Sequence, residues 1–169
     1  MTTFFDIETT GLNPYRDNLL TIQVKKDGDL TVWRVWEMSE ATVLEGFLGF
    51  MGALPSSETI VGYNIMGFDL PFIAARLSLN HAMDESTHAR LYRSRKWFDL
   101  YHYLGADFKS VDYWLGRVGV ARNCLITGKD VPILYIRGEY EKIERHAIED
   151  LALCELLYQR LGSVRVSSG

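Results

Sequence analysis

Cysteine is nearly missing from this sequence. The two present, Cys124 and Cys154, lack the spacing of a metal site and read as free buried thiols, the pattern of a reducing cytoplasm. Long apolar runs are missing too: none approaches the roughly 20 residues that span a bilayer. The opening MTTFFDIETT has neither the basic nor the apolar segment of a signal peptide. The expectation is therefore a cytoplasmic protein with no membrane partner. No low-complexity stretch, repeat or Pro/Gly/Ser-rich linker divides the chain. Positive charge is short as well, with 18 Lys and Arg against 22 Asp and Glu, a net −4. That balance speaks against a protein that coats duplex nucleic acid through its phosphates. It remains compatible with an enzyme whose acidic site is masked by divalent cations. What is there, 47% hydrophobic and 24% charged over 169 residues, suits one globular domain with a substantial core. Residues 1–162 are expected to form that domain, and 163–169 a short polar tail.

Periodicity lays out the elements. Thr2 to Ile7 reads as a buried strand and Leu19 to Lys25 as a second. Lys26-Asp27-Gly28-Asp29 is a hairpin turn signal leading into a third strand, Leu30 to Trp36. A helical pattern begins at Ser39 or Glu40, runs through Leu54 and is stopped by Pro55. Thr59 to Tyr63 is a short β-branched strand, and Gly67 to Leu79 a helix that tolerates Pro71 in its first turn. Phe108 to Val118 carries apolar residues at helical spacing with Ser110 as its cap, and Tyr140 to Leu161 is the strongest amphipathic pattern. A meander of three strands followed by alternating helices and strands predicts an α/β fold with one mixed sheet flanked by helices.

Against this layout four acids stand out. Asp6 and Glu8, two apart in the first strand, leave the same face of the sheet. Like charges held side by side are relieved by protonation or by a cation, unless both face water at a strand end. Asp69 opens a helix, where it could equally be an ordinary N-cap. Asp150 lies four residues after His146 in the last helix, so the two share a face beside the apolar stripe.

In that order, DIETTGL, GYNIMGFDLPF and HAIED resemble the three exonuclease motifs of the DEDD 3′–5′ exonucleases. The likeness is nearest to the proofreading domain of family-B DNA polymerases and to related stand-alone nucleases. DFKSVDYWLGRVGV (Asp107 to Val120) and the segment Leu134 to Leu161 also resemble the corresponding helices, so the likeness covers nearly the whole chain. The resemblance implies a ribonuclease-H-like fold with a mixed central sheet. It implies metal-dependent hydrolysis at the 3′ end of single-stranded or frayed nucleic acid, DNA favoured, releasing nucleoside monophosphates. It also implies that Asp6, Glu8, Asp69 and Asp150 are catalytic and hold two divalent cations, Mg²⁺ or Mn²⁺. Asp6 would bridge both ions, Glu8 and Asp150 would complete the first site, and Asp69 would act through a water. Two ions about 3.5–4 Å apart stabilise both the attacking and the leaving oxygen, and all-carboxylate ligation suits Mg²⁺ or Mn²⁺ better than Zn²⁺.

One position departs from the pattern. The family places a His five residues, or a Tyr four residues, before its last Asp; this chain has Arg145 at five and His146 at four. The resemblance makes His146 a general base or water-orienting group at the tyrosine spacing. It further implies substrate contacts at Thr9, Thr10 and Leu12 and at Asn64 and Phe68; Lys109 is a separate candidate phosphate contact. In HARLYRSRKWFDLYHY (His88 to Tyr103), Arg90, Arg93, Arg95 and Lys96 interleave with Tyr92 and Trp97. That mixture suits single-stranded nucleic acid, although a solvated basic face with inward aromatics is the preferred interpretation. Two other functions stay open: a catalytically silent module of a replication or repair complex, and a structure-specific endonuclease on the same fold.

Overall fold

The computed structural model describes residues 1–93, 96–105, 109–122 and 125–166. The side chain of Arg93, together with Arg95, Asp107, Phe108, Cys124 and residues 167–169, lies outside the described set, with the expectations attached to them. Strands β1 (Thr2–Thr9), β2 (Leu19–Lys26) and β3 (Asp29–Arg34) form the meander. Asp27 and Gly28, both at positive φ (51° and 92°), make the tight turn that joins β2 to β3. β4 (Thr59–Gly62) and β5 (Lys96–Asp99) complete a five-stranded sheet of order β3-β2-β1-β4-β5. β1 runs antiparallel to β2 and parallel to β4, and β5 is parallel to β4, so the sheet is mixed as expected.

The helices are α1 (Glu40–Ala53), α2 (Asp69–Leu79), α3 (Glu85–His88), α4 (Leu100–Tyr103), α5 (Val111–Arg117), α6 (Val131–Ile136) and α7 (Tyr140–Val166). Ser39 and Ser110 cap α1 and α5 through their hydroxyls, at Thr42 N and Tyr113 N. Several boundaries differ from the sequence expectation. β1 continues past Ile7, so Asp6 and Glu8 both lie inside it. β3 stops at Arg34, whose carbonyl accepts the Glu37 and Met38 N–H groups in a turn, and the Trp36 ring stacks on Tyr140 with centroids 4.9 Å apart. α2 begins at Asp69 because Gly67 and Phe68 are spent in a turn that bonds back to the Asn64 carbonyl. α7 runs through Val166, so residues 163–166, expected to begin a polar tail, are helical. α3, α4, β5 and α6 were not anticipated.

Alternation along β1 divides the core. Phe5 and Ile7 pack with Phe47 and Met51 of α1 and Leu70 and Ile73 of α2. Phe4 and Val61 pack with Leu151, Cys154 and Leu157 of α7 on the other face, where Cys154 is a buried free thiol. Asp6 and Glu8 share Phe4's face and so lie under α7. Arg34 pairs with Glu144, and Lys25 with Glu155 at 2.6 Å, which pins α7 across β2 and β3. Among the described residues of the basic-aromatic segment, Trp97 donates to the Leu91 carbonyl at 2.8 Å and packs on Phe5, while Arg90 and Lys96 are exposed.

From β1 the chain first builds the sheet outward through β2 and β3, then returns to β4 on β1's other side. Such a reversal opens a crevice at the carboxyl ends of the two parallel strands. Gly62 ends β4 at that crevice. A Cβ there would lie 2.6 Å from the Phe5 carbonyl oxygen and 2.3 Å from Ile65 Cγ2. Gly62→Ala is expected to lower stability by about 1–3 kcal/mol, the usual range for overpacking. Urea unfolding of the purified variant checks this, and an unchanged midpoint would contradict the close contact.

Candidate metal centre

Four carboxylates converge on the crevice between β1 and β4. Asp6 and Glu8 come from β1 and Asp150 from the middle of α7. Asp69, at the first turn of α2, is 2% exposed and turns back to accept the Ile7 N–H at 3.1 Å. It is therefore not an N-cap. Burial holds the Asp6 carboxyl well above the usual carboxylate range, and the charges of Asp69, Glu8 and Asp150 raise it further. Glu8 is raised the same way, by burial and then by Asp150 and Asp69. Asp69 is pushed up to about 7, chiefly by burial. Burial also lifts Asp150, against the opposing influence of the nearby His146 ring and the Arg122 guanidinium.

His146 joins the group from one turn before Asp150. The helix register turns position 146 inward, 2% exposed, and leaves Arg145 on the outside. Its Nε2 lies 3.7 Å from Glu8 Oε1, and its Nδ1 lies 3.4 Å from Asp150 Oδ1. Nδ1 is buried without a hydrogen bond. Burial holds the imidazole below its usual pKa, favouring the neutral ring with a free lone pair. Glu8, His146 and Asp150 each offer a donor atom, all within 4.8 Å of one another. Acids that retain protons against their own tendency, beside an unpartnered buried nitrogen, form the donor set a divalent cation satisfies.

Supporting residues escaped the sequence reading. Gln23, 0% exposed and paired with Asp6 across the strands, donates from Nε2 to Asp6 Oδ2 at 2.7 Å. Its Oε1 accepts the Thr21 hydroxyl at 2.8 Å, which fixes the amide orientation. The sequence signal was there: Thr21 and Gln23 are polar at alternate positions of a buried strand. Asp99, at the end of β5, accepts the backbone N–H groups of Asn64 (2.8 Å) and Met66 (2.9 Å), which holds the turn leading to Asp69. Arg122 pairs with Asp150 Oδ1 and, through Nε at 2.9 Å, with Asp112 Oδ1. Neither Asp99 nor Arg122 stands in a recognisable motif.

The expected substrate contacts are placed unevenly. Thr9 donates its hydroxyl to the Gly11 carbonyl at 2.7 Å, and the Thr10 hydroxyl accepts from Asn18 N–H at 2.8 Å, so both shape the loop after β1. Leu12 projects from that loop, 82% exposed. Asn64 sits at φ 60° in the turn, and Phe68 is half-buried against Phe72. The Lys109 ammonium lies 5.1 Å from the centre of the Tyr113 ring.

The chain belongs to the RNase H superfamily, whose family model matches residues 3–161. Among solved structures, it is similar to the family B DNA polymerase from the hyperthermophilic archaeon Pyrobaculum calidifontis, with a TM-score of 0.78 and 24% identity. The match covers 95% of this chain and 24% of the polymerase, so the chain spans about a quarter of that protein. No curated protein matches it. Among the described residues, no helix is long and apolar enough to cross a membrane.

Two outcomes are expected of the metal-free protein. A carboxyl whose proton affinity is raised by folding costs stability once it ionises. For Asp69 that cost grows as pH climbs from about 3.9, the unfolded value, through about 7. His146 is shifted the opposite way and penalises the folded state only below about pH 6.5. In chelator, the Tm should therefore fall by about one to two degrees as pH rises from about 6.5 to 7.5 and level off once Asp69 is ionised in both states, and saturating Mn²⁺ should remove the trend. A Tm that is flat or rising over that window in chelator would contradict the buried cluster. The second outcome concerns Arg122, whose guanidinium pairs with Asp150 and would compete with a cation for it. A hydrogen bond to a charged group contributes about 1.5–3 kcal/mol, so Arg122→Gln should tighten Mn²⁺ binding about tenfold or more by calorimetry. Weakened binding would instead make Arg122 a support of the site.

Proposed function

We propose that this chain is a metal-dependent 3′–5′ exonuclease acting on single-stranded or frayed nucleic-acid ends, with DNA favoured, and releasing nucleoside monophosphates. The observation that carries this proposal is the convergence of Asp6, Glu8, Asp69 and Asp150 on one crevice, in the chain order of the DEDD motifs. Membership of the RNase H superfamily and the fold shared with a family B DNA polymerase support it.

When bound, a pair of divalent cations supplies the positive charge that stabilises the attacking and leaving oxygens of an in-line displacement. Asp6, Glu8 and Asp150 would hold that pair, and Asp69 would act through a water. These side chains are aimed in advance. Gln23 fixes one oxygen of Asp6, and the Ile7 N–H fixes one of Asp69, as outer hydrogen bonds do in metal sites generally. Leu12, exposed on the loop after β1, would offer apolar surface to the terminal base, and Asn64 and Phe68 would meet the sugar and base.

Degradation of 5′-labelled single-stranded and duplex DNA and RNA, with and without Mg²⁺ or Mn²⁺, tests the proposal. The expected product is a ladder shortening one nucleotide at a time from the 3′ end, abolished in Asp6→Ala and Asp150→Ala. Internal cuts would indicate an endonuclease, and binding without turnover a silent module. Full activity in either variant would remove these residues from the site.

A further inference from the structure

We infer that His146 is itself a metal ligand, giving the ion held by Glu8 and Asp150 a nitrogen donor and selecting a first-row transition-metal ion over Mg²⁺. This rests on the metal-dependent reading above and departs from the carboxylate-only ligation that the family resemblance implies. Donors around one ion with bonds near 2.1 Å lie about 3 Å apart. His146 Nδ1 is 3.4 Å from Asp150 Oδ1, and one donor atom from each of Glu8, His146 and Asp150 lies within 4.8 Å of the other two. The Nδ1–Oδ1 gap is wide for a hydrogen bond and close to the spacing of neighbouring ligands. Two side chains four apart on one helix face form a recurrent metal-binding pair, because one turn brings both heads to the same point.

Burial decides between ligand and base. A general base must reach its proton, whereas this ring is 2% exposed with both nitrogens turned toward carboxylates. A buried Nδ1 without a hydrogen bond is unusual in a folded protein, and a bound cation would complete it. Arg122 takes up charge on Asp150 from the outer side and would yield that oxygen to the ion. Mg²⁺ takes oxygen donors and holds its waters tightly, whereas imidazole favours later divalent ions.

Pulsed electron paramagnetic resonance of the full chain loaded with Mn²⁺ tests this directly. The expected result is nuclear modulation from a coordinated imidazole nitrogen, altered when the protein is grown with nitrogen-15 histidine and lost in His146→Gln. Calorimetric titration with Mn²⁺ and Mg²⁺ should show the preference for Mn²⁺ falling about tenfold in that variant. Wild-type protein that lacks the modulation, or fails to bind Mn²⁺, overturns the inference. The isotope comparison needs no variant and stands even if His146→Gln misfolds. Cleavage without nitrogen coupling would overturn the ligand and leave the nuclease. Coupling without cleavage would support the ligand and overturn the nuclease.

Discussion

Carboxylates crowded into a partly dry crevice repel one another, and the surroundings of this cluster are arranged around that repulsion. Asp6, Glu8, Asp69 and Asp150 each hold protons more tightly than a free acid. Relief comes piecemeal from neighbours: the Gln23 amide, the Ile7 N–H and the Arg122 guanidinium. None cancels the charge inside the crevice, and the imidazole of His146 is held neutral beside it. A site of this kind is folded but electrostatically unfinished, and binding a cation is the direct way to complete it.

The sheet makes the crowding possible. β1 lies at its centre, hydrogen-bonded on one side to the β2–β3 meander and on the other to β4. One face of β1 is taken up by Phe5 and Ile7 in the core beneath α1 and α2. The opposite face carries Phe4 into the core under α7 and then releases Asp6 and Glu8 toward the open end. The strand that anchors the hydrophobic interior thus also delivers the acids, which ties their spacing to a rigid backbone.

Much of this was legible in the chain and some was not. The meander, α1 and α7 followed from hydrophobic period and caps, and the four acids from their motif order. β5 was missed because KWFD is four residues long and sits among arginines and aromatics that resemble a surface segment. α6 was missed because six residues around Pro132 give too short a period. Gln23, Asp99 and Arg122 escaped for a different reason. Each acts on a residue far away in sequence, through a strand register or a loop closure that no local pattern encodes. His146 was visible, but only the helix register shows that it turns inward where Arg145 turns out.

The position of Asp150 on α7 has a consequence for how the protein comes into being. The other three carboxylates lie within the first 69 residues, while the fourth rides on the last helix, fastened across the sheet by Arg34–Glu144 and Lys25–Glu155. A nascent chain on the ribosome, lacking α7, holds an incomplete cluster however well its sheet has formed. The chemistry proposed for the cluster would therefore be withheld until synthesis has passed residue 150 and that helix has docked. In a cell full of messenger and template strands, completion of the fold would be the licence to act.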